Sequence, residues 1–102
     1  MAADHETIRQ VLAMVPQQRP FRFIDDILEM DGEHIVGAYR FREDEYFYPG
    51  HFPDRPVTPG VILIETMAQT GVVAFGIYLL ILAGLSLEQI GRMVTLFVMV
   101  DD

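Results

Sequence analysis

The stretch Tyr48–Gly71, YPGHFPDRPVTPGVILIETMAQTG, decides how this chain is read. Its first half is punctuated by Pro49, Pro53, Pro56 and Pro59, whose fixed φ angles favour an ordered loop over helix or strand. Thr58-Pro59-Gly60 then reads as a helix opening, with Thr58 suited to the N-cap and Pro59 to the first helical position. The helix predicted from there is long and ends before LSLEQIGR. It begins with the apolar run Val61–Ile64 and then carries a single carboxylate, Glu65. A carboxylate buried without a partner is costly, so one in such company is usually paired or functional.

Thr66 to Leu87 holds no charged residue and is long enough to cross a bilayer. Against a span stand Gln69, the glycines at 71, 76 and 84, and the flanks Glu65 and Glu88, which lack the Lys/Arg cluster that orients a spanning helix. The expectation is instead a helix that is hydrophobic all round because protein covers it, with no membrane span.

Outward from this helix the pattern changes twice. Residues 4–15 place Ile8, Leu12 and Val15 at helical spacing, and the prolines of PQQRP end that short helix. Between Phe21 and Phe41, two β-rich runs flank Asp31-Gly32, a hairpin signal. Downstream, LSLEQIGR reads as a turn with a short helical piece, and MVTLFVMV (residues 93–100) as a third strand. Three strands cannot enclose so apolar a helix. Either partner chains complete the sheet or, the preferred expectation, residues 1–102 are the front part of one longer domain with further strands to follow.

Composition narrows the partners. The net charge of −8 argues against nucleic acid, because little here could neutralise a run of phosphates. Every basic residue is arginine, at positions 9, 19, 22, 40, 42, 55 and 92, so any acidic partner must meet a local patch. Without cysteine there is no disulfide frame and no thiolate metal site, in keeping with a reducing compartment. The acidic, polar start MAADHETIRQ is unlike a secretory signal.

Three groups could carry chemistry. The first N–H groups of a helix lack partners within it, and Gly60 has no side chain to shield its own, so a ligand oxygen could approach there. A Pro-Gly turn that merely starts a helix remains the plain alternative. Glu65 and Gln69 lie four apart on one face, so the amide can orient the carboxyl. A carboxyl in apolar surroundings can hold a proton and act as an acid. His51, a base of near-neutral character, shares the unit, although a lone loop histidine is more often structural. His5 and His34 have no metal-like spacing to it, so no metal site is expected. Base, acid and free N–H groups together suit proton abstraction beside a carbonyl.

GHFPDRPVTPGVILIETMAQ, from Gly50 to Gln69, closely resembles the signature of the (3R)-hydroxyacyl-acyl carrier protein dehydratases of fatty acid synthesis, in the hotdog-fold superfamily. Weaker resemblance runs from about Val15 to the expected strand at Thr95–Val100. On that resemblance His51 is the catalytic histidine and Glu65 the catalytic acid. Gly60 supplies the backbone N–H that polarises the thioester carbonyl, and Gln69 orients the carboxyl. Glutamate at position 65 leans toward the broad-range branch rather than the isomerising one. Departures exist: QQRPFRF replaces a His-Arg-Tyr-Pro-Phe-like run, Thr58 stands where Met is common, and Asp54 where Gly is common.

The resemblance implies an α+β hotdog fold, an antiparallel sheet wrapped around one long central helix, incomplete in these residues. It implies dehydration of (3R)-3-hydroxyacyl-acyl carrier protein to the trans-2-enoyl product, in fatty acid or related lipid or polyketide synthesis, in the cytoplasm. The only prosthetic arm needed is the carrier's phosphopantetheine. Two units pair, as a homodimer or a dimer-built tetramer or hexamer, and each site takes its histidine from one subunit and its acid from the other. Acyl carrier protein is itself acidic, so docking falls to local arginines, Arg55 first and then Arg92. The alternatives are another hotdog thioester enzyme, an acyl thioesterase or enoyl-CoA hydratase, or a non-catalytic acyl-carrier-binding or dimerisation module.

Overall fold

A computed structural model describes residues 2–100, with side-chain surroundings for residues 2–96. Helix α1, His5–Met14, opens on Asp4, whose carboxylate accepts the Thr7 N–H at 2.8 Å. Val11 and Val15 on its inner side are buried. Strands β1, Asp26–Met30, and β2, Ile35–Ala38, form an antiparallel pair. The register pairs Ile27 with Gly37 and Glu29 with Val36, so Leu28 is the extra residue of a bulge. The bulge lets Ile27 and Met30, three apart, both turn inward.

The turn between the strands is longer than the two-residue Asp31-Gly32 hairpin predicted. Met30 pairs with Ile35, leaving Asp31–His34 as the loop. Asp31 Oδ1 accepts the N–H groups of Glu33 (2.8 Å) and His34 (3.0 Å), a local closure that outcompetes the tighter turn. The His34 ring bridges Glu29 (3.0 Å) and Asp31 (2.9 Å), and these bonds, Glu29 first, raise its pKa above the ordinary 6.5. The support this bridge gives the turn is therefore full below about pH 6.5 and fades as pH rises through the folded-state value. An NMR titration should put the His34 midpoint above 6.5 and move it down in Glu29→Gln. A midpoint at or below 6.5 would mean that the bridge does not form in solution.

The long helix is present, in three consecutive windings: α2, Gly60–Ala68; a π-helical turn, Gln69–Ala74; and α3, Phe75–Leu82. Along it Ile62, Gln69, Ala74, Ile77 and Tyr78 are buried. From Gln69 to Ala74 is a five-residue step, which at α spacing would turn about 140° away. The wider π turn returns both residues to the protein side. Thr70 lies so close to β2 that a Cβ added at Gly37 would sit 2.7 Å from its Oγ1, so this crossing requires glycine.

Two expectations are corrected here. MVTLFVMV is not a strand: it continues α4, Leu87–Val100. Ser86 and Gln89 form a reciprocal capping box, Gln89 N–H to Ser86 Oγ at 3.1 Å and Ser86 N–H to Gln89 Oε1 at 2.8 Å. That start, and the Glu88–Arg92 pair one turn on, favour helix over a strand with no edge to join. The long helix is also not enclosed. The described strands flank it on one side, and only 17% of its apolar window, within Gly60–Leu82, is buried. By length and composition alone this helix could cross a membrane.

The α+β class holds, and the core sits toward one end. Val11, Val15, Ile24, Ile27 and Met30 pack with Ala74, Ile77 and Tyr78 of the long helix and Ile90 of α4. The other half, α2, leaves Val61 72%, Ile64 63% and Met67 64% exposed, so it is braced by the core but not inside it.

Candidate active site

The loop before α2 is organised by aromatic rings. Phe23, fully buried, touches Tyr39 (5.5 Å between centroids), Phe21 (5.1 Å) and Phe47 (6.2 Å). Phe47 in turn meets the Tyr48 ring at 4.7 Å. This cluster holds the short 3₁₀ turn Tyr48–Gly50, from which His51 emerges. Asp25 secures the opposite side, accepting the Arg40 N–H (2.9 Å) and an Arg42 N–H (2.8 Å). Burial pushes the Asp25 pKa up, but the Arg42 and Arg40 donors and the nearby Arg19 outweigh it and leave it lowered.

His51 is fixed from both ends. Its backbone N–H donates to the Tyr48 carbonyl (3.0 Å), and its carbonyl accepts the Val57 N–H (2.9 Å). Its ring Nδ1 lies 2.7 Å from the Val57 carbonyl oxygen and stacks beside Phe52, centroids 4.3 Å apart. A carbonyl can only accept, so Nδ1 carries a proton, and in the neutral ring the lone pair is on Nε2. The ring is thus held in the tautomer a general base needs. No sequence signal marked this, because the orienting group is a backbone carbonyl six residues away.

Thr58 is not the N-cap predicted. Pro59 occupies that position without a side-chain cap, and the Thr58 hydroxyl instead meets Tyr48 Oη at 2.6 Å. The ladder begins with Ile62 and Leu63 donating to the Pro59 carbonyl, at 3.0 and 3.2 Å. Among the described residues the Gly60 N–H has no hydrogen-bond acceptor, and nothing stands within 4 Å of the space where its Cβ would be. A ligand oxygen can reach it at the positive end of the helix dipole.

Glu65 and Gln69 meet as their spacing predicted. Gln69 Nε2 donates to Glu65 Oε2 at 2.9 Å and to the Phe21 carbonyl at 2.8 Å, while its Oε1 accepts the Phe23 N–H at 2.7 Å. Gln69 is fully buried and Glu65 half-buried. The amide therefore does two jobs: it pins the QQRPFRF segment to the helix and presents the carboxyl with one oxygen already engaged. The clamp on Phe21 and Phe23 was not legible in the sequence, because half of each bond belongs to the main chain.

The structure brings Glu65 together with Gln69, and His51 together with Val57. Among the described residues no hydrogen bond or ion pair joins His51 to Glu65. Nor is any group of three His, Cys, Asp or Glu residues arranged to hold a metal there. Arg55 is exposed and without an ion-pair partner among the described residues, whereas Arg92 is paired with Glu88 at 2.8 Å.

The chain is similar to known proteins along most of its length. The FabA-like domain matches residues 15–101. The 3-hydroxyacyl-acyl-carrier-protein dehydratase FabZ of Roseiflexus sp. (strain RS-1) is 45% identical over 69 residues, 67% of this chain and 48% of that protein. The protein of the same name from Desulforamulus reducens is 49% identical over 72 residues, 70% of this chain and 49% of its own length. That of Geobacillus sp. (strain WCH70) is 44% identical over 68 residues, covering 66% and 47%. The chain spans about half the length of the curated relatives it matches. With the hairpin and long helix of a hotdog domain and a match across most of its length, this chain belongs to the FabA-like domain family.

Proposed function

We propose that this chain carries the catalytic residues of a 3-hydroxyacyl-acyl carrier protein dehydratase. Its main support is the bond between buried Gln69 and Glu65, in which the amide's second N–H holds one carboxylate oxygen and so aims the carboxyl. His51 Nε2 removes a proton from C2 of the substrate. The charge that develops on the thioester oxygen is held by the Gly60 N–H. As the C3–O bond breaks, Glu65 gives its proton to the departing hydroxyl, which leaves as water, and the C2–C3 double bond forms. The proton taken by His51 returns to Glu65 through solvent, closing the cycle.

No cofactor enters beyond the phosphopantetheine arm that carries the acyl group. The working unit is a homodimer, or an assembly of such dimers, in which His51 of one subunit faces Glu65 of the other. The names of the relatives support acyl carrier protein as the partner. Fatty acid synthesis in the cytoplasm is the setting proposed with it. Residues 1–102 supply the hairpin and helix of one hotdog domain, and further strands complete its sheet.

Incubation with a 3-hydroxyacyl thioester tests this. Enoyl thioester without free thiol is the expected product; free thiol would make it a thioesterase, and tight binding without turnover a carrier-binding module. The exposed Arg55 beside the His51 turn, without an ion-pair partner among the described residues, is the proposed carrier contact, ahead of Arg92 with its Glu88 partner. Arg55→Glu should raise KM for a carrier-linked substrate about tenfold while leaving a short thioester mimic within about twofold. Equal effects on both substrates would remove Arg55 from the docking surface.

A further inference from the structure

The bond between Tyr48 Oη and Thr58 Oγ1 joins two side chains to which the proposed mechanism gives no task. Tyr48 opens the 3₁₀ turn that delivers His51, and Thr58 lies two residues before Gly60. Their hydroxyls meet at 2.6 Å, and both residues are half-buried. The bond closes a ring of contacts. His51 N–H reaches the Tyr48 carbonyl, the Val57 N–H reaches the His51 carbonyl, and His51 Nδ1 reaches the Val57 carbonyl. Without the hydroxyl pair, the hydrogen bonds that tie the His51 turn to the start of α2 among the described residues run through Val57. With it, the base and the free Gly60 N–H ride on one braced unit.

Thr58 uses its hydroxyl for this bond at 2.6 Å rather than for capping α2. Its partner is equally specific in chemistry: a phenol reaches across the loop because the Phe47 and Tyr48 rings pack together at 4.7 Å. We propose that Tyr48 and Thr58 are positioning residues, setting the separation between the His51 imidazole and the Gly60 N–H and so governing kcat rather than substrate affinity. This rests on the dehydratase reading for its kinetic consequence, and on the structure alone for the brace. The physical reason is that a displacement of about 1 Å between base and oxyanion donor costs on the order of 10²-fold in rate without loosening the substrate.

The test uses Thr58→Val, which keeps the shape and removes the hydroxyl, with Tyr48→Phe, the double variant and Thr58→Ser. In Thr58→Val and Tyr48→Phe, kcat should fall about tenfold to a hundredfold with KM within about threefold. The double variant should be no worse than either single one, because both remove the same bond. Thr58→Ser, which keeps the hydroxyl, should return kcat to within about threefold of wild type. Amide exchange supplies a second reading: the His51 and Val57 N–H groups should exchange about tenfold faster in Thr58→Val and Tyr48→Phe than in wild type or Thr58→Ser. Unchanged kcat in Thr58→Val, additive losses in the double variant, or no rescue by Thr58→Ser would each overturn the brace. A wild-type protein without dehydratase turnover would overturn the reaction, not the brace. The brace is then decided by exchange, and equal exchange in wild type and Thr58→Val would overturn it.

Discussion

His51→Ala and Glu65→Ala should each lower turnover of a 3-hydroxyacyl thioester by about 10²–10⁴-fold, the range for loss of one positioned proton-transfer group. The two losses have different causes. His51→Ala removes a base whose Nδ1 is held by the Val57 carbonyl at 2.7 Å, and with it the free Nε2. Glu65→Ala removes the carboxyl that Gln69 orients from 2.9 Å. If each site combines His51 of one subunit with Glu65 of the other, mixing the two inactive proteins should restore activity. A mixed dimer holds one site with both lesions and one with neither. Random exchange makes half the dimers mixed, so roughly a quarter of wild-type activity should return. Subunit exchange verified by mass, with activity still at the single-variant level, would rule out the shared site. His51 and Glu65 would then have to act within one chain, or one of them would not be catalytic.

Gln69→Leu should be the most damaging single change to stability among the site residues. Leucine nearly matches the shape of glutamine but leaves the Phe23 N–H without its acceptor beside a fully buried ring. An unsatisfied buried donor costs about 1–3 kcal/mol. The Phe21 carbonyl also loses its partner, though Phe21 is 40% exposed and water can replace the amide. The sum is about 2–3 kcal/mol, a large share of what holds a domain of this size together. For such a domain each kcal/mol lowers Tm by about 4–8 °C, so a fall of about 10–20 °C is expected in a thermal melt. Turnover at a temperature where the variant is folded should drop as well, because Glu65 loses its orienting donor. A lowered Tm with unchanged kcat would make Gln69 a clamp only. An unchanged Tm would mean that the clamp on Phe21 and Phe23 carries no weight.

Much of this arrangement is written in local spacing. The long helix, α1 and the hairpin follow from periodicity and turn residues, and the Glu65–Gln69 contact follows from four-residue spacing on a helix. What escaped the sequence is set at longer range. The β-branched and apolar run at 93–100 reads as strand in isolation, but the Ser86–Gln89 capping box commits it to helix. Thr58 has the chemistry of an N-cap, yet a tyrosine ten residues earlier takes its hydroxyl. The tautomer of His51 depends on a backbone carbonyl, which every residue has and no letter of the sequence marks. Glu65 stood out because its neighbours are apolar; the clamp behind it was hidden because half of each bond belongs to the main chain.

The π-helical turn at Gln69–Ala74 divides one rod into two phases. Ile77 and Tyr78 are set by the core, and Glu65 is set by Phe21 and Phe23 through Gln69, with the offset between them absorbed in six residues. Deleting one residue between Thr70 and Val73 would remove the extra residue of the π turn and keep the two halves in phase, whereas inserting one there would rotate Gly60–Ala68 by about 100° relative to the core half. The circular dichroism of the helix would survive, while the Glu65 carboxyl would swing off the side on which the Phe21–Phe23 segment lies. How much helix this stretch forms and where it aims its chemistry are therefore separately encoded. The second can be erased by a change the first does not register.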